Sequence, residues 1–93
     1  MPQLKNILLV DDDDDLREAL AEQLILLDEF EVAEAANGQE AQVHAKGADY
    51  DLIMLDVGLP DTDGRELCKW MRKQGVKAPI IILTGHDTDS DTI

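Results

Sequence analysis

The sequence has few aromatic residues and few cations, and each shortage excludes a class of function. Phe30, Tyr50 and Trp70 are the only aromatics among 93 residues, so the stacking platforms that bind single-stranded nucleic acid are missing. Lys and Arg number 8 against 21 Asp and Glu, and a net charge of −13 would be repelled by phosphate backbones. We therefore expect no direct binding of nucleic acid by this chain.

Cysteine and long apolar runs are also scarce. Cys68 is alone, so no internal disulfide and no cysteine-based zinc site can form, which favours a reducing, intracellular setting. The longest apolar runs, such as residues 24–27 and 80–83, fall far below the ~18 residues expected of a membrane span. The N-terminus resembles no secretory signal. The sequence therefore predicts a cytoplasmic protein that does not contact a membrane.

Two hydrophobic periodicities alternate along the chain. Short apolar runs predict strands at residues 7–10, 30–35, 52–55 and 79–83. Helical spacing predicts three helices between them, with Leu16, Leu20, Leu24 and Leu27 on one face of the first, and the others over about residues 39–46 and 65–74. Strands that alternate with helices predict an α/β fold, an open parallel sheet with helices on both faces. At this length we expect a single domain.

Polar side chains follow three of the predicted strands. Asp11 and Asp12 come directly after the first strand, Asp56 after the third and Thr84 after the fourth. In parallel sheets ligands bind beyond the carboxyl ends of the strands, so we expect these side chains to converge. Crowded carboxylates repel one another unless a cation lies among them, and Mg²⁺ accepts one or two carboxylates together with a phosphate oxygen. The sequence therefore predicts an Mg²⁺ site that receives a phosphoryl group.

A carboxylate at such a site can itself act as the nucleophile. Asp56 is the best candidate, because it stands alone at its strand end while Asp11 and Asp12 form a ready pair of metal ligands. Thr84 could then donate a hydrogen bond to a phosphoryl oxygen. A hydrolase with an aspartyl nucleophile would need a second acid two residues on, and Gly58 occupies that position.

Three segments together resemble the receiver domain of two-component response regulators. They are residues 7–13 (ILLVDDD), 51–64 (DLIMLDVGLPDTDG) and 79–85 (PIIILTG). The resemblance implies a flavodoxin-like sheet in strand order 2-1-3-4. It also implies a set of site residues: Asp56 as the phospho-acceptor, Thr84 as the switch hydroxyl, and Asp11, Asp12, Asp56 and the backbone carbonyl of Gly58 as ligands of Mg²⁺.

The resemblance further implies a signalling phospho-acceptor rather than an enzyme, although such a domain can catalyse its own phosphorylation from small phosphodonors. The implied partner is a sensor histidine kinase or a phosphotransfer protein that carries a phosphohistidine. Receiver domains have five strands and five helices over roughly 120 residues, so we interpret residues 1–93 as a single receiver domain without roughly its last quarter, including the fifth strand.

That interpretation leaves two further expectations. Because the family's Lys after the fifth strand is missing, the alternative function is a truncated or pseudo-receiver that acts as a protein-interaction module without phosphotransfer. The strand Ile80–Leu83 would also have an unpaired edge, which could pair with a second copy in a homodimer or a strand swap.

Overall fold

The structure, a computed structural model, describes residues 4–83. Strands and helices alternate, and the strands form one parallel sheet in the order β2-β1-β3-β4. The elements in chain order are β1 (Lys5–Val10), α1 (Asp14–Leu26), β2 (Phe30–Ala35), α2 (Gly38–Gly47), β3 (Leu52–Asp56), α3 (Gly64–Lys73) and β4 (Ile80–Leu83). All the predicted elements are confirmed, and so are the α/β class and the strand order that the resemblance implies.

The main core lies on one face of the sheet, beneath α2 and α3. Alternate residues of β1 and β3 point to this face, as period-two side-chain alternation requires. They pack against Ala41 of α2 and against Leu67 and Met71 of α3, all almost completely buried. The buried strand residues of this cluster are Leu8, Val10, Ala35, Ile53 and Leu55.

Helix α1 covers the opposite face, where it packs against β1 and β2. Leu16, Leu20 and Leu24 share a face of α1 as predicted, while Leu27 is its C-cap, but this face is not the most buried one, since Leu20 and Leu24 are only half-buried. Leu16 is 47% exposed, whereas the buried residues of α1 are Arg17 and Ala21. Each residue turns an α-helix by about 100°, so the row that meets the sheet is offset from the leucine row by one position.

Strand β4 forms one edge of the sheet in the part of the chain that the structure describes. It pairs with β3 alone among those residues, and Ile81 on this strand is 46% exposed. An apolar edge strand of this kind offers unpaired backbone groups to another chain. No helix within residues 4–83 is long and apolar enough to cross a membrane.

Candidate metal site

Three aspartates meet where β1 and β3 end. The two strands are parallel neighbours, with Val10 opposite Leu55, so the residues that follow them emerge side by side. One carboxylate oxygen each of Asp11, Asp12 and Asp56 lies within 4.8 Å of the others. A single ion can therefore bridge all three carboxylates, which were predicted to converge.

The three carboxylates differ in their exposure to solvent. Asp11 is only 4% exposed, Asp56 is half-buried and Asp12 faces solvent. The amide of Asp11 donates to the carbonyl of Ala35 at 3.0 Å, and its Oδ1 accepts from the amide of Asp13 at 2.9 Å. Asp11 is thus hydrogen-bonded to both β2 and the start of α1, while an ion can approach from the side of the exposed Asp12.

Asp13 separates the acidic pair from the helix that follows. It is the N-cap of α1, and its Oδ1 accepts from the amide of Leu16 at 3.1 Å. Asp14 and Asp15 lie in the first turn, where negative charge interacts favourably with the helix dipole. These three acids therefore have structural roles, and Asp11 and Asp12 remain as the candidate ligands on this side of the site.

The environment of Asp56 favours its neutral form. Burial raises the pKa of its carboxyl group above the ordinary value, and the negative charges of Asp11 and Asp12 raise it further. Backbone amides of Gly58 and Val57 offset part of this shift in pKa. A bound divalent cation would relieve the repulsion between the carboxylates. The all-oxygen set of ligands fits Mg²⁺, a hard cation that binds carboxylates and retains several waters.

The loop after β3 is folded back close to Asp56. Gly58 forms an isolated antiparallel bridge with Asp63, and the amide of Gly64 donates to the carbonyl of Val57 at 2.9 Å. A Cβ atom on Gly64 would overlap the backbone carbonyl of Asp56. Glycine is therefore required there, since α3 begins in contact with the backbone of the predicted phospho-acceptor.

The predicted roles of Gly58 and Thr84 stay predictions. Gly58 is exposed and lies two residues after Asp56, so its carbonyl belongs to the same loop as the site. Thr84 lies outside the described residues.

Sequence reasoning missed two residues that shape the loops of the site. The carboxylate of Asp61 accepts from the amides of Gly38 at 2.8 Å and Gln39 at 3.0 Å, which ties the loop after β3 to the N-terminus of α2. Arg17 is buried beside Asp11. No local pattern could identify either one, because their partners lie on other segments of the chain.

The parallel sheet in the order β2-β1-β3-β4, with helices on both faces, defines an open α/β fold. The carboxylates gathered beyond its central strands define a candidate metal site. The chain matches the family described as response regulator receiver domain over residues 7–93, and it belongs to that family.

Curated relatives are longer than this chain. PhoP, the alkaline phosphatase synthesis transcriptional regulatory protein of Bacillus subtilis, is 38% identical over 89 residues, which cover 96% of this chain and 37% of PhoP. ResD, a transcriptional regulatory protein of the same organism, is 37% identical over 87 residues, which cover 94% of this chain and 35% of ResD. The chain thus spans little more than a third of these relatives.

Solved structures share the fold. The response regulator protein TrrA of Thermotoga maritima, in complex with Mg²⁺-BeF, is 38% identical, with a TM-score of 0.81 over 89% of this chain and 71% of that chain. A CheY-like receiver domain from Methylobacillus flagellatus is 26% identical, with a TM-score of 0.86 over 97% of this chain and 77% of that chain. The family and fold that the sequence resemblance implied are therefore confirmed.

Proposed function

We propose that this chain is the phospho-accepting receiver of a two-component phosphorelay. Asp56 accepts a phosphoryl group from a phosphohistidine on a sensor histidine kinase or a phosphotransfer protein. Asp11, Asp12, Asp56 and the backbone carbonyl of Gly58 hold Mg²⁺. The observation that carries the proposal is the cluster of three carboxylates within 4.8 Å at the carboxyl ends of β1 and β3.

The chemistry proposed for Asp56 is a nucleophilic displacement at phosphorus. One of its carboxylate oxygens forms a new P–O bond while the P–N bond to the donor imidazole breaks, and the electron pair of that bond stays on the ring nitrogen. When bound, Mg²⁺ supplies positive charge that offsets the negative charge on the transferring phosphoryl oxygens. Asp11 contributes a carboxylate that is fixed before the reaction, since it is buried and hydrogen-bonded. Thr84 is proposed to donate its hydroxyl to a phosphoryl oxygen of the product.

The likeness to TrrA supports the choice of Mg²⁺. TrrA is 38% identical to this chain, and its structure is a complex with Mg²⁺-BeF. The donor set of this chain independently favours a hard cation, because all three side-chain ligands are carboxylates.

Residues 1–93 are proposed to belong to a single receiver domain in the cytoplasm, where the lone Cys68 stays reduced. The curated relatives are transcriptional regulators of which this chain spans about a third. We propose that any binding to DNA in such a protein belongs to other residues, since this segment has a net charge of −13. The domain is a signalling phospho-acceptor, and its own site can promote transfer from small phosphodonors.

The proposal is tested by incubating the chain with acetyl phosphate and Mg²⁺ and measuring its intact mass. We expect an adduct of one phosphoryl group that requires Mg²⁺ and is lost in Asp56→Asn. Asp49→Asn is the matched control, because Asp49 is an exposed aspartate in the loop between α2 and β3. If the wild-type chain forms no adduct yet still binds a partner kinase, the alternative of an interaction module without phosphotransfer replaces this proposal.

A further inference from the structure

Arg17 and Asp11 are the two buried charged residues in the described part of the chain, at 9% and 4% exposure, and they contact each other. The contact is a hydrogen bond in which Nη1 of Arg17 donates to the backbone carbonyl of Asp11 at 2.8 Å. A guanidinium group is costly to bury without partners, so its position needs an explanation. Its other contacts supply one.

The guanidinium group of Arg17 joins three segments around the metal site. Nε donates to Oε1 of Glu34 near the end of β2 at 3.0 Å, and Nη1 lies 2.9 Å from Oδ1 of Asp14 in the first turn of α1. With the carbonyl of Asp11, these contacts connect the end of β1, the start of α1 and the end of β2. A guanidinium group is planar and its donors are fixed relative to one another, so it sets the geometry of the three segments together.

The contact with Asp11 acts on both aspartates of the acidic pair. The carbonyl of Asp11 belongs to the peptide plane that joins Asp11 to Asp12, and a peptide unit is rigid. Fixing that oxygen therefore fixes the direction in which the chain leaves Asp11. The amide of Arg17 also donates to the carbonyl of Asp13 at 2.9 Å, so residue 17 holds the turn at both ends.

We propose that Arg17 is the positioning residue of the metal site. It orders the turn that carries Asp11 and Asp12 before the ion arrives, so that binding Mg²⁺ does not have to order this turn. In this role Arg17 acts through the backbone of Asp11 rather than as a ligand, since Nε donates to Glu34 and Nη1 contacts Asp14 and the carbonyl of Asp11. The inference rests on the proposed binding of Mg²⁺, but not on phosphotransfer.

Positioning and simple electrostatics predict opposite results for Arg17→Met. Removing a positive charge near a cation site strengthens cation binding if charge alone matters. If Arg17 acts by positioning, its removal weakens binding, and loss of a group that orients metal ligands typically costs about tenfold or more in metal affinity. Arg17→Lys keeps the charge but lacks the fixed fork of donors, so positioning predicts weaker binding for this variant as well.

The test is the dissociation constant of Mg²⁺ measured by isothermal titration calorimetry on the folded chain. We expect about tenfold weaker binding in Arg17→Met and a smaller loss in Arg17→Lys. Arg72→Met is the matched control, since Nη1 of Arg72 also donates to backbone carbonyls, those of Val76 at 2.8 Å and Ala78 at 2.9 Å, but in the loop between α3 and β4. Unchanged or tighter binding in both Arg17 variants would overturn the proposal. If Arg17→Met does not fold, the Mg²⁺ affinity of Arg17→Lys alone decides the proposal.

A second measurement needs no metal. Positioning predicts that the amide of Asp13, which donates to Oδ1 of Asp11, exchanges with solvent faster in Arg17→Lys than in the wild-type chain, while amides of α3 are unaffected. NMR-detected hydrogen exchange reports this, and equal exchange rates at Asp13 would contradict the inference. If the wild-type chain binds no Mg²⁺, the proposed function fails, and this measurement still decides whether Arg17 orders the turn that carries Asp11 and Asp12. If Mg²⁺ binds but no phosphoryl adduct forms, only the proposed phosphotransfer fails.

Discussion

Removing the charge of Asp56 is expected to stabilise the folded chain when divalent cations are absent. Its carboxylate oxygen lies within 4.8 Å of oxygens of Asp11 and Asp12. Two unit charges 4.8 Å apart repel by about 0.9 kcal/mol at the dielectric constant of water and by about 3.5 kcal/mol at an effective value of ~20. The site is partly open, so we expect Asp56→Asn to raise the free energy of unfolding by about 1–3 kcal/mol at neutral pH and low salt.

The pH dependence of this gain follows from the pKa of Asp56. Burial, and then the charges of Asp11 and Asp12, raise that pKa in the folded state, so the folded chain binds the proton more tightly than the unfolded chain does. The destabilisation is complete above the folded-state pKa, is relieved as the pH falls through it, and is absent below the pKa of the unfolded chain. The difference between the wild-type chain and Asp56→Asn should therefore be largest at neutral pH and vanish on acidification.

Mg²⁺ should reverse the order of stability. A ligand that binds only the folded state adds about 2.7 kcal/mol when present at a hundred times its dissociation constant. The wild-type chain gains this stabilisation, whereas Asp56→Asn has lost one of the three carboxylates and gains less. The wild-type chain should then be at least as stable as the variant.

Urea unfolding followed by the fluorescence of Trp70, with EDTA or with Mg²⁺, measures both effects. Asp49→Asn is the control for the general repulsion within a chain of net charge −13, and as an exposed substitution it should change stability by less than about 0.5 kcal/mol. The reasoning is wrong if Asp56→Asn is no more stable than wild type in EDTA, or if its advantage persists unchanged at acidic pH.

Three other substitutions test the surroundings of the site and the edge of the sheet. Gly64→Ala should lower stability by about 1–3 kcal/mol in urea unfolding and weaken Mg²⁺ binding, because the new methyl group would overlap the carbonyl of Asp56. The control Gly47→Ala places its methyl group in open space and should have neither effect. Asp61→Asn should destabilise the chain at neutral pH but not at acidic pH. Hydrogen bonds from the amides of α2 lower the pKa of Asp61, and the stability that its carboxylate contributes is lost as the carboxyl group is protonated. Equal destabilisation at both pH values would contradict this reasoning. The chain should self-associate at micromolar concentration in sedimentation velocity, through the edge of β4 that has no partner strand within residues 4–83, and Ile81→Lys should reduce this. A monomeric wild-type chain would count against pairing at that edge.

Much of the fold could be predicted because the strands carry a strong local signal. Residues 7–10, 52–55 and 80–83, within β1, β3 and β4, are all apolar, and an acid directly after β1 and at the end of β3 marks where two of these strands end. Once the strands are parallel, the convergence of Asp11 and Asp56 follows from topology alone. The helical pattern of α2 is weak in the sequence, yet the helix could still be predicted. Its small residue Ala41 packs in the core.

The buried face of α1 could not be predicted, because periodicity assigns burial by hydrophobicity and the leucine row is the more hydrophobic one. Arg17 is buried instead of Leu16, since its charge is matched by Glu34 and Asp14 and Nη1 also donates to the carbonyl of Asp11. Two of these partners are close in sequence, but Glu34 is 17 residues away and lies on β2. A charged residue can occupy a buried row only when its partners are supplied by tertiary structure, and such partners leave no local trace in sequence.

The buried Arg17 and the raised pKa of Asp56 both belong to the surroundings of the three clustered carboxylates, and burial followed by the charges of Asp11 and Asp12 raises that pKa. Carboxylates gathered for a cation destabilise the chain without one, so at neutral pH the ion-free state holds them together against their mutual repulsion. A cation placed among their side chains would offset the repulsion but would occupy the space of the ion. Arg17 instead reaches Asp11 through its backbone carbonyl, from the side of β2, and so makes this contact without using the carboxylate of Asp11. Arg17 thus supports the turn that carries Asp11 and Asp12 without occupying the position proposed for Mg²⁺.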